Sequence, residues 1–358
     1  MVVDMRPSAF RARKYASDKS LQERLAMLRG EWGELEAERK ILLREKHELI
    51  VRAKRTEDYT IANLSDLTQE AVKKLKADGW KVFTARNSKE GIEYVRESIG
   101  KGSIALMPSP ETTEAAIMPG FALSNKVTIA SVGHMLCEMK GIAPLHPLFP
   151  IPVAEEDEIK KAEDKIEEGI QKAKNVIVSG LVVSADGTVM VGGAERGLIE
   201  KSDAKDVFII LGIDRLVKEA NDASDVAEVL AMASGGMLQP DKLERGPGVA
   251  YHIILLDNGR LALSSSEYSE ALKCIHCYSC SLECPAYRAL GNLYGSPEMS
   301  GIGVVLTGYK EGIKRATDRG LFYCLLCGRC SRECPMDLDI PRMIRALRRK
   351  ADVSNLRS

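Results

Sequence analysis

The sequence has no net charge to spare: 51 lysines and arginines balance 51 aspartates and glutamates over 358 residues. The overall basic excess of a nucleic-acid-binding protein is missing, so any charge argument has to be local. Nor does any run approach the roughly 18 to 20 consecutive apolar residues of a membrane helix. The opening MVVDMRPSAF lacks the apolar core of a signal peptide. A cytoplasmic protein is the expectation, with any membrane association peripheral and supplied through partners. No paired carboxylates, Ser/His/Asp array or Walker loop occurs at a recognisable spacing, which leaves hydrolysis and phosphoryl transfer without support. Cysteine is scarce over most of the chain, with Cys137 alone before residue 274. A secreted disulfide framework is not distributed in this way.

What is present is an ordinary globular composition, 45% hydrophobic and 28% charged, at a length that predicts about two domains plus an appendage. From Ser20, leucines recur every seven residues at Leu21, Leu28, Leu35, Leu42 and Leu49, with Leu25 and Trp32 on interleaved positions of the same face. This predicts one long helix. Arg39 and Lys46 occupy the later interleaved positions, and Gly30 and Gly33 weaken the middle, so the stripe fits packing on its own chain better than a dimeric seam. Beyond Thr56, β-branched runs at 80–85, 104–107, 127–132, 175–178, 181–184, 188–191, 207–213 and 251–256 alternate with amphipathic stretches at 67–78, 89–98, 155–174 and 224–232. Such alternation predicts an α/β domain with a largely parallel sheet. The proline-rich stretch at 141–152 reads as a loop between its two halves. Ser264 with Glu267 reads as a capping box opening a helix into the cysteine-rich end. The expected organisation is a helical segment at 1–55, an α/β domain at 56–262 and a C-terminal domain at 263–358.

The other eight cysteines form two copies of one pattern. Cys274, Cys277, Cys280 and Cys284 precede Pro285, and Cys324, Cys327, Cys330 and Cys334 precede Pro335. This C-x2-C-x2-C-x3-C-P run is the bacterial-ferredoxin pattern for [4Fe-4S] clusters, in which the fourth cysteine ligates the other cluster. The ligand sets expected are therefore Cys274, Cys277, Cys280 and Cys334 for one cluster, and Cys324, Cys327, Cys330 and Cys284 for the second. Two four-cysteine zinc sites are the competing reading, but zinc draws its ligands from pairs of C-x2-C knuckles rather than from a triple run. Helical patterns at 308–318 and 340–350, the latter opened by Pro341, make this an all-helical ferredoxin module. Lys273, Arg329 and Arg332 stand beside the ligands and could raise the potential. The tail group Arg342, Arg345, Arg348, Arg349 and Lys350 reads mainly as a wet helix face, with docking of an acidic partner as the alternative.

The segments GPGVAYHIILLDNGR, ALKCIHCYSCSLECPAYRALG, GVVLTG and YCLLCGRCSRECPMDLDIPRMI resemble the iron-sulfur subunit of the lactate-utilisation (LUD domain) family. The resemblance implies an α/β domain of the NagB, RpiA and CoA-transferase type. It also implies the role of an electron carrier in a hetero-oligomeric complex that oxidises lactate or a related 2-hydroxy acid. The partners implied are a flavoprotein dehydrogenase and a cysteine-rich, heterodisulfide-reductase-like subunit. Where the family would have a Glu-Thr-Gly-type turn, this chain has Ser184-Ala185-Asp186-Gly187-Thr188. It also stops soon after the second motif, so that a partner polypeptide is expected to complete what longer relatives carry themselves.

Other groups receive mostly structural readings. Gly192, Gly193 and Gly197 in VGGAERG follow a strand, with Arg196 available for an anion, but match no strong phosphate fingerprint. His134 and Cys137 would share a helix face without a third, orienting group, which favours an inert buried thiol. His146 and His252 have no metal-ligand spacing, while His276, between two ligands, could hydrogen-bond cluster sulfur. The chemistry in view is one-electron transfer, with removal of a hydride from substrate left to a partner. The alternatives are a small-acid or CoA-ligand enzyme acting near residues 186–196, with the clusters as redox accessory, and a redox-sensing interaction protein.

Overall fold

The computed structural model describes residues 6–99, 102–115, 117–121, 125–295 and 298–356. Residues 1–5, the start of the segment read above for a leader, lie outside it. Four helices come first: α1 (Arg6–Ser17), α2 (Lys19–Glu45), α3 (His47–Ala62) and α4 (Leu64–Ala77). The single long helix expected from the leucine repeat is thus divided. Asp18 caps α2 by accepting from the Leu21 amide at 3.0 Å, and the backbone departs from helical angles at Lys46 and Asn63. The stripe is buried on its own chain. Leu21, Leu25, Leu28 and Trp32 are all in the core, with Leu35 and Trp32 against Gly235, and Leu21 and Leu25 against Gly291. Helix α2 therefore spans from the α/β region to the cysteine-rich region.

The chain then builds its sheets. Strand β1 (Lys81–Ala85) leads through α5 (Ser88–Ile99) to β2 (Ile104–Leu106), and short helices α6 (Pro110–Glu114) and α7 (Ile117–Phe121) lead to β3 (Val127–Ile129). Helix α8 (Val132–Met139), the proline-rich loop and α9 (Glu156–Lys172) return the chain to β4 (Asn175–Ser179). A side excursion follows, through β5 (Val182–Ser184), β6 (Val189–Gly192) and α10 (Gly193–Lys201), before β7 (Asp206–Gly212). After β8 (Leu216–Val217) come α11 (Ala220–Ala233), β9 (Pro240–Lys242) and β10 (Ala250–Leu256). The main sheet is six-stranded and wholly parallel, in the order β1-β10-β7-β4-β2-β3. A smaller mixed sheet has the order β8-β5-β6-β9.

A parallel sheet needs cover on both faces because its crossovers run over both. Successive side chains of one strand accordingly enter different cores. Val207, Ile209 and Leu211 of β7 join the large core shared with the N-terminal helices, whereas Phe208 and Ile210 join Ile92, Val95, Ile99 and Phe121 on the other face. From β2 the chain leaves toward the edge strand β3, and from β4 it next enters the main sheet on the opposite side, at β7. The C-terminal ends of β2 and β4 consequently flank a topological switch point, where open α/β sheets form a crevice.

After β10 the described residues contain no strand. They form α12 (Arg260–Ser264), a 3-10 turn at Ser269–Lys273, α13 (Ser279–Leu282), α14 (Pro285–Leu290), α15 (Ser300–Lys310), α16 (Ile313–Asp318), α17 (Arg329–Arg332) and α18 (Ile340–Leu356). Two expectations are corrected here. Ser264 ends α12 instead of opening a helix, its hydroxyl donating back to the Leu261 carbonyl at 2.9 Å. The helix expected at 308–318 is split at Gly312, whose φ of +90° no helix accommodates. A buried ionic chain fastens this region to the sheet: Arg260 contacts Asp214 at 2.5 Å and Glu114 at 2.7 Å, and Lys310 meets Glu114 at 2.9 Å and Glu298 at 3.0 Å. Among the described residues no helix is long and apolar enough to cross a membrane.

Candidate metal centre

The two cysteine motifs adopt the same local backbone. In the first, His276 (φ 55°) and Tyr278 (φ 61°) lie in the left-handed region, and in the second the corresponding residues are Leu326 (φ 56°) and Gly328 (φ 74°). A left-handed residue two positions after the leading cysteine, and another two positions later, bends the chain around a common centre. Three of these four residues pay the strain of a side chain at positive φ, about 1–3 kcal/mol each. The fourth cysteine of the first motif precedes the N1 proline of α14, which turns the chain away.

The thiols gather in two groups, each drawing on both motifs. Cys274 lies within electrostatic reach of Cys277 and Cys334, Cys280 of Cys274 and Cys277, and Cys334 of Cys277. Cys284 is likewise close to Cys324 and Cys327, and Cys330 to Cys284, Cys324 and Cys327. Cys284, Cys324, Cys327 and Cys330 wall one small cavity together with Tyr294, Gly301 and Pro341. All eight are free thiols. Among the described residues no His, Cys, Asp or Glu side chains converge as ligands of a single metal ion. Each group supplies four cysteine sulfurs, which is the donor set a [4Fe-4S] cluster takes.

Burial, with neighbouring thiols adding to it, pushes Cys284 up to about 11 and Cys330 and Cys334 up to about 12. Each thiol must therefore shed its proton as iron binds. The Leu326 amide points at Cys324 Sγ at 3.4 Å, and the Ser300 hydroxyl lies 3.6 Å from Cys280 Sγ. Both contacts are of the kind that tunes cluster potential. Cys327 is exposed and its neighbour Leu325 is 67% exposed, whereas Cys277 is buried. The second group is the one that opens to the surface.

The nearby cations are mostly engaged. Lys273 pairs with Asp58, and Arg332 approaches the Cys327 carbonyl at 3.4 Å. In the tail, Arg342 pairs with Glu270, and Lys350 with Glu267 while lying 4.4 Å from the Tyr268 ring centroid. Arg348 donates to the Cys324 carbonyl at 2.7 Å. His276 turns from the thiols to Glu111, with Nδ1 2.9 Å from Oε1. Burial raises the Glu111 carboxyl, but the hydrogen bond and charge of His276, the charge of Arg215 and a backbone hydrogen bond together hold it below its usual range.

Other sequence candidates resolve into structural roles. His134 and Cys137 share α8, yet His134 pairs with the Ser131 hydroxyl at 2.9 Å and is pushed down to about 4 by burial. Cys137 Sγ faces Arg24 at 3.9 Å and the Pro150 carbonyl at 3.7 Å. His252 lies 2.9 Å from the Tyr94 hydroxyl and 3.1 Å from Asp206. Nδ1 of His146 accepts from the amides of Leu148 and Phe149, and Nε2 faces the Ser281 hydroxyl at 3.1 Å. The turns proposed to take a ligand are occupied by the protein itself. Asp186 binds the Ala220 and Thr188 amides and the Ser184 hydroxyl, and Arg196 pairs with Glu200 and Asp241.

Sequence reasoning missed two groups. Trp32 and Arg39 of α2 reach the glutamates that precede the fourth cysteine of each motif: Trp32 Nε1 donates to Glu283 at 2.9 Å, and Arg39 to Glu333 at 2.8 Å. The repeated Glu-Cys-Pro tripeptide and a charge inside a leucine stripe were the available signals. Arg215, which donates to the Cys274 carbonyl, carried none.

Comparison with known proteins agrees with this geometry. Residues 270–338 match the family model of the 4Fe-4S dicluster domain, which supports 4Fe-4S binding by this region. Fold and site together define the class as an iron-sulfur protein with a parallel α/β region. Within that class the chain resembles the proteins of lactate utilisation. It is 22% identical to the uncharacterized electron transport protein YkgF of Escherichia coli, over 83% of this chain and 70% of that protein. It is also 22% identical to lactate utilization protein B of Oceanobacillus iheyensis, over 79% of this chain and 66% of that protein. This chain therefore spans about two thirds of the length of such relatives. A crystal structure of a DUF162 family protein from Deinococcus radiodurans covers 54% of this chain and 98% of its own at 11% identity, with a TM-score of 0.35. That likeness is too loose to carry the fold assignment, which rests on the strand order.

Proposed function

We propose that this chain is the electron-transfer subunit of an oxidoreductase complex, holding two [4Fe-4S] clusters. In this reading Cys274, Cys277, Cys280 and Cys334 bind one cluster, and Cys324, Cys327, Cys330 and Cys284 the other. When bound, such clusters supply one-electron transfer and leave removal of a hydride to another cofactor. The observation that carries the reading is the gathering of eight thiols into two groups that each cross both motifs. Cys280 also senses Cys330 of the other group, so the two sites adjoin as a relay requires. The surface opening at Cys327 gives one end of the relay access to a partner.

The names of the relatives support a place in lactate or related 2-hydroxy-acid oxidation. Electrons would arrive from a flavoprotein dehydrogenase and leave toward a cysteine-rich, heterodisulfide-reductase-like subunit. To test this, the chain is purified without oxygen together with its associated polypeptides, and cluster reduction is followed by electron paramagnetic resonance after addition of lactate. Reduction only while a flavoprotein is present is the expected result. Reduction by lactate in the isolated chain, or none in the complete assembly, overturns it.

A further inference from the structure

The two cysteine motifs lie in regions of opposite charge. Residues 267–300, around the first, carry two lysines and arginines against four carboxylates, whereas residues 319–350, around the second, carry eight against three. In a chain with no net charge this excess is local, and it falls at the site that opens to the surface. The three carboxylates of that region are engaged. Glu333 is held by Arg39 and lies 3.7 Å from Lys40, Asp337 pairs with Lys54, and Asp339 accepts from the Arg342 amide at 3.0 Å.

Several of the cations are left over. Arg329 and Arg332 are exposed on α17 beside Cys330, and Arg332 leans on the Cys327 carbonyl. Helix α17 lies against α18, whose Pro341 lines the cavity of the second site together with Leu325 and Cys327. Arg345 and Arg349 follow Pro341 at intervals of four residues, so they run along one side of α18 leading away from that cavity. Both are exposed, and Arg349 has Glu267 near it. Among the described residues no carboxylate is within ion-pairing distance of Arg329, Arg332 or Arg345. Cations beside thiolates can offset the charge of a cluster, but Arg345 stands a full turn along α18 from the cavity and faces solvent. Grouped charges of one sign repel each other, and a face of the opposite sign relieves that repulsion.

We propose that this face, made of the second cysteine loop, α17 and α18, docks an acidic protein that carries a one-electron centre. Leu325 forms the apolar point of contact, and Arg329, Arg332 and Arg345 meet carboxylates around it, an apolar centre within a polar rim. One electron leaves the second site and reduces the partner's centre, with no bond formed or broken. Redox encounters bury little surface, so charge supplies the steering that contact area does not. An anionic lipid surface would instead cover the opening at Cys327 and leave the site without an acceptor, which favours a protein. The inference deepens the function proposed above and rests on it for the presence of clusters.

The test uses the full chain, loaded with its clusters and reduced without oxygen, and two haem proteins as one-electron acceptors: the acidic soluble domain of cytochrome b5 and the basic cytochrome c. Raising the salt from about 10 mM to about 150 mM shortens the screening length from roughly 30 Å to roughly 8 Å. Over that range the reduction of cytochrome b5 in stopped flow should slow by about tenfold or more, while the reduction of cytochrome c should not slow. Reversing two charges together, Arg329→Glu with Arg345→Glu, should slow cytochrome b5 about tenfold at low salt and quicken cytochrome c. Lys160→Glu with Lys165→Glu, at exposed positions of α9, should change neither. Cluster absorbance controls for folding, and a changed potential would move both acceptors the same way. If the arginine pair loses its clusters, Arg345→Glu alone, further from the thiols, reads the same opposed effects. The proposal is overturned if both acceptors respond alike, or if the lysine pair acts as strongly. It is also overturned if the arginine pair abolishes sedimentation with phosphatidylglycerol vesicles and leaves cytochrome b5 unaffected, which assigns the arginines to a lipid surface. In each of those cases the electron-transfer reading stands. A loaded chain that reduces neither acceptor removes that reading together with the docking face.

Discussion

Arg39 and Glu333 meet at 2.8 Å inside the protein, with the arginine 1% exposed and a second nitrogen on the Glu333 carbonyl at 2.7 Å. Seven residues earlier on the same helix, Trp32 holds Glu283 at 2.9 Å. One N-terminal helix thus grips both glutamates that precede a fourth cysteine. In the ligand sets proposed above, Arg39 would steady Cys334 of the first site and Trp32 would steady Cys284 of the second.

Replacing Arg39 by Met should therefore cost about 2–4 kcal/mol, since Glu333 loses its buried donor and the Ala233 carbonyl keeps only the Ser279 hydroxyl. Thermal unfolding of the cluster-loaded protein checks this. Chelator-driven iron loss should be faster from the first site in this variant and from the second in Trp32→Phe. Equal effects on both sites would show that α2 supports the fold without addressing the sites separately.

The extent to which this was legible in the sequence follows from how local each feature is. All eight strands expected from β-branched runs form, because strands covered on both faces leave continuous apolar stretches. Strands β8 and β9 were missed, since two- and three-residue pairings leave no run to read. Residues 127–132 split into β3 and the start of α8 after Ile129. The cysteine pattern could be read because its geometry is set within eleven residues of chain. Glu111 and Arg215 come from separate elements, and only the crossing of the sheet brings them together. Arg39 looked like a flaw in an apolar seam because its partner lies 294 residues away.

The crossed ligand sets make a prediction that a within-motif arrangement does not. Cys284→Ser and Cys324→Ser should each lose the same cluster, and Cys334→Ser should lose the one removed by Cys277→Ser. Iron and sulfide analysis should fall by about half in every case, and paramagnetic resonance should show which signal remains. If Cys284→Ser instead matches Cys277→Ser, each motif closes on itself.

His146 links the proline-rich loop to the first motif, and burial pushes it down to about 3. In the unfolded chain it titrates near 6.5. Between these values the unfolded state binds the extra proton, so stability is complete above about pH 6.5 and declines as the pH falls toward 3. The slope per histidine is about 1.4 kcal/mol per pH unit. His146→Gln should remove its share of the fall in unfolding free energy between pH 6.5 and 5, about 1.4 kcal/mol per pH unit, leaving the share of His134, which burial also pushes down. An unchanged slope would mean that His146 is not the group taking up the proton.

Electron exchange with a partner should pass through the exposed edge of the second site. Leu325 is 67% exposed beside two of its cysteines, and an exposed side chain of this kind contributes little to folding. Leu325→Glu should accordingly change stability by no more than about 0.5 kcal/mol while slowing reoxidation by the acceptor, because a new carboxylate puts a charge in an apolar contact. Val153, 52% exposed in the proline-rich region, supplies the control. Val153→Glu adds the same charge away from the motif and should leave the rate alone. A similar slowing in both variants would reduce the effect to net charge, and no slowing in either would place the electron exit on another face.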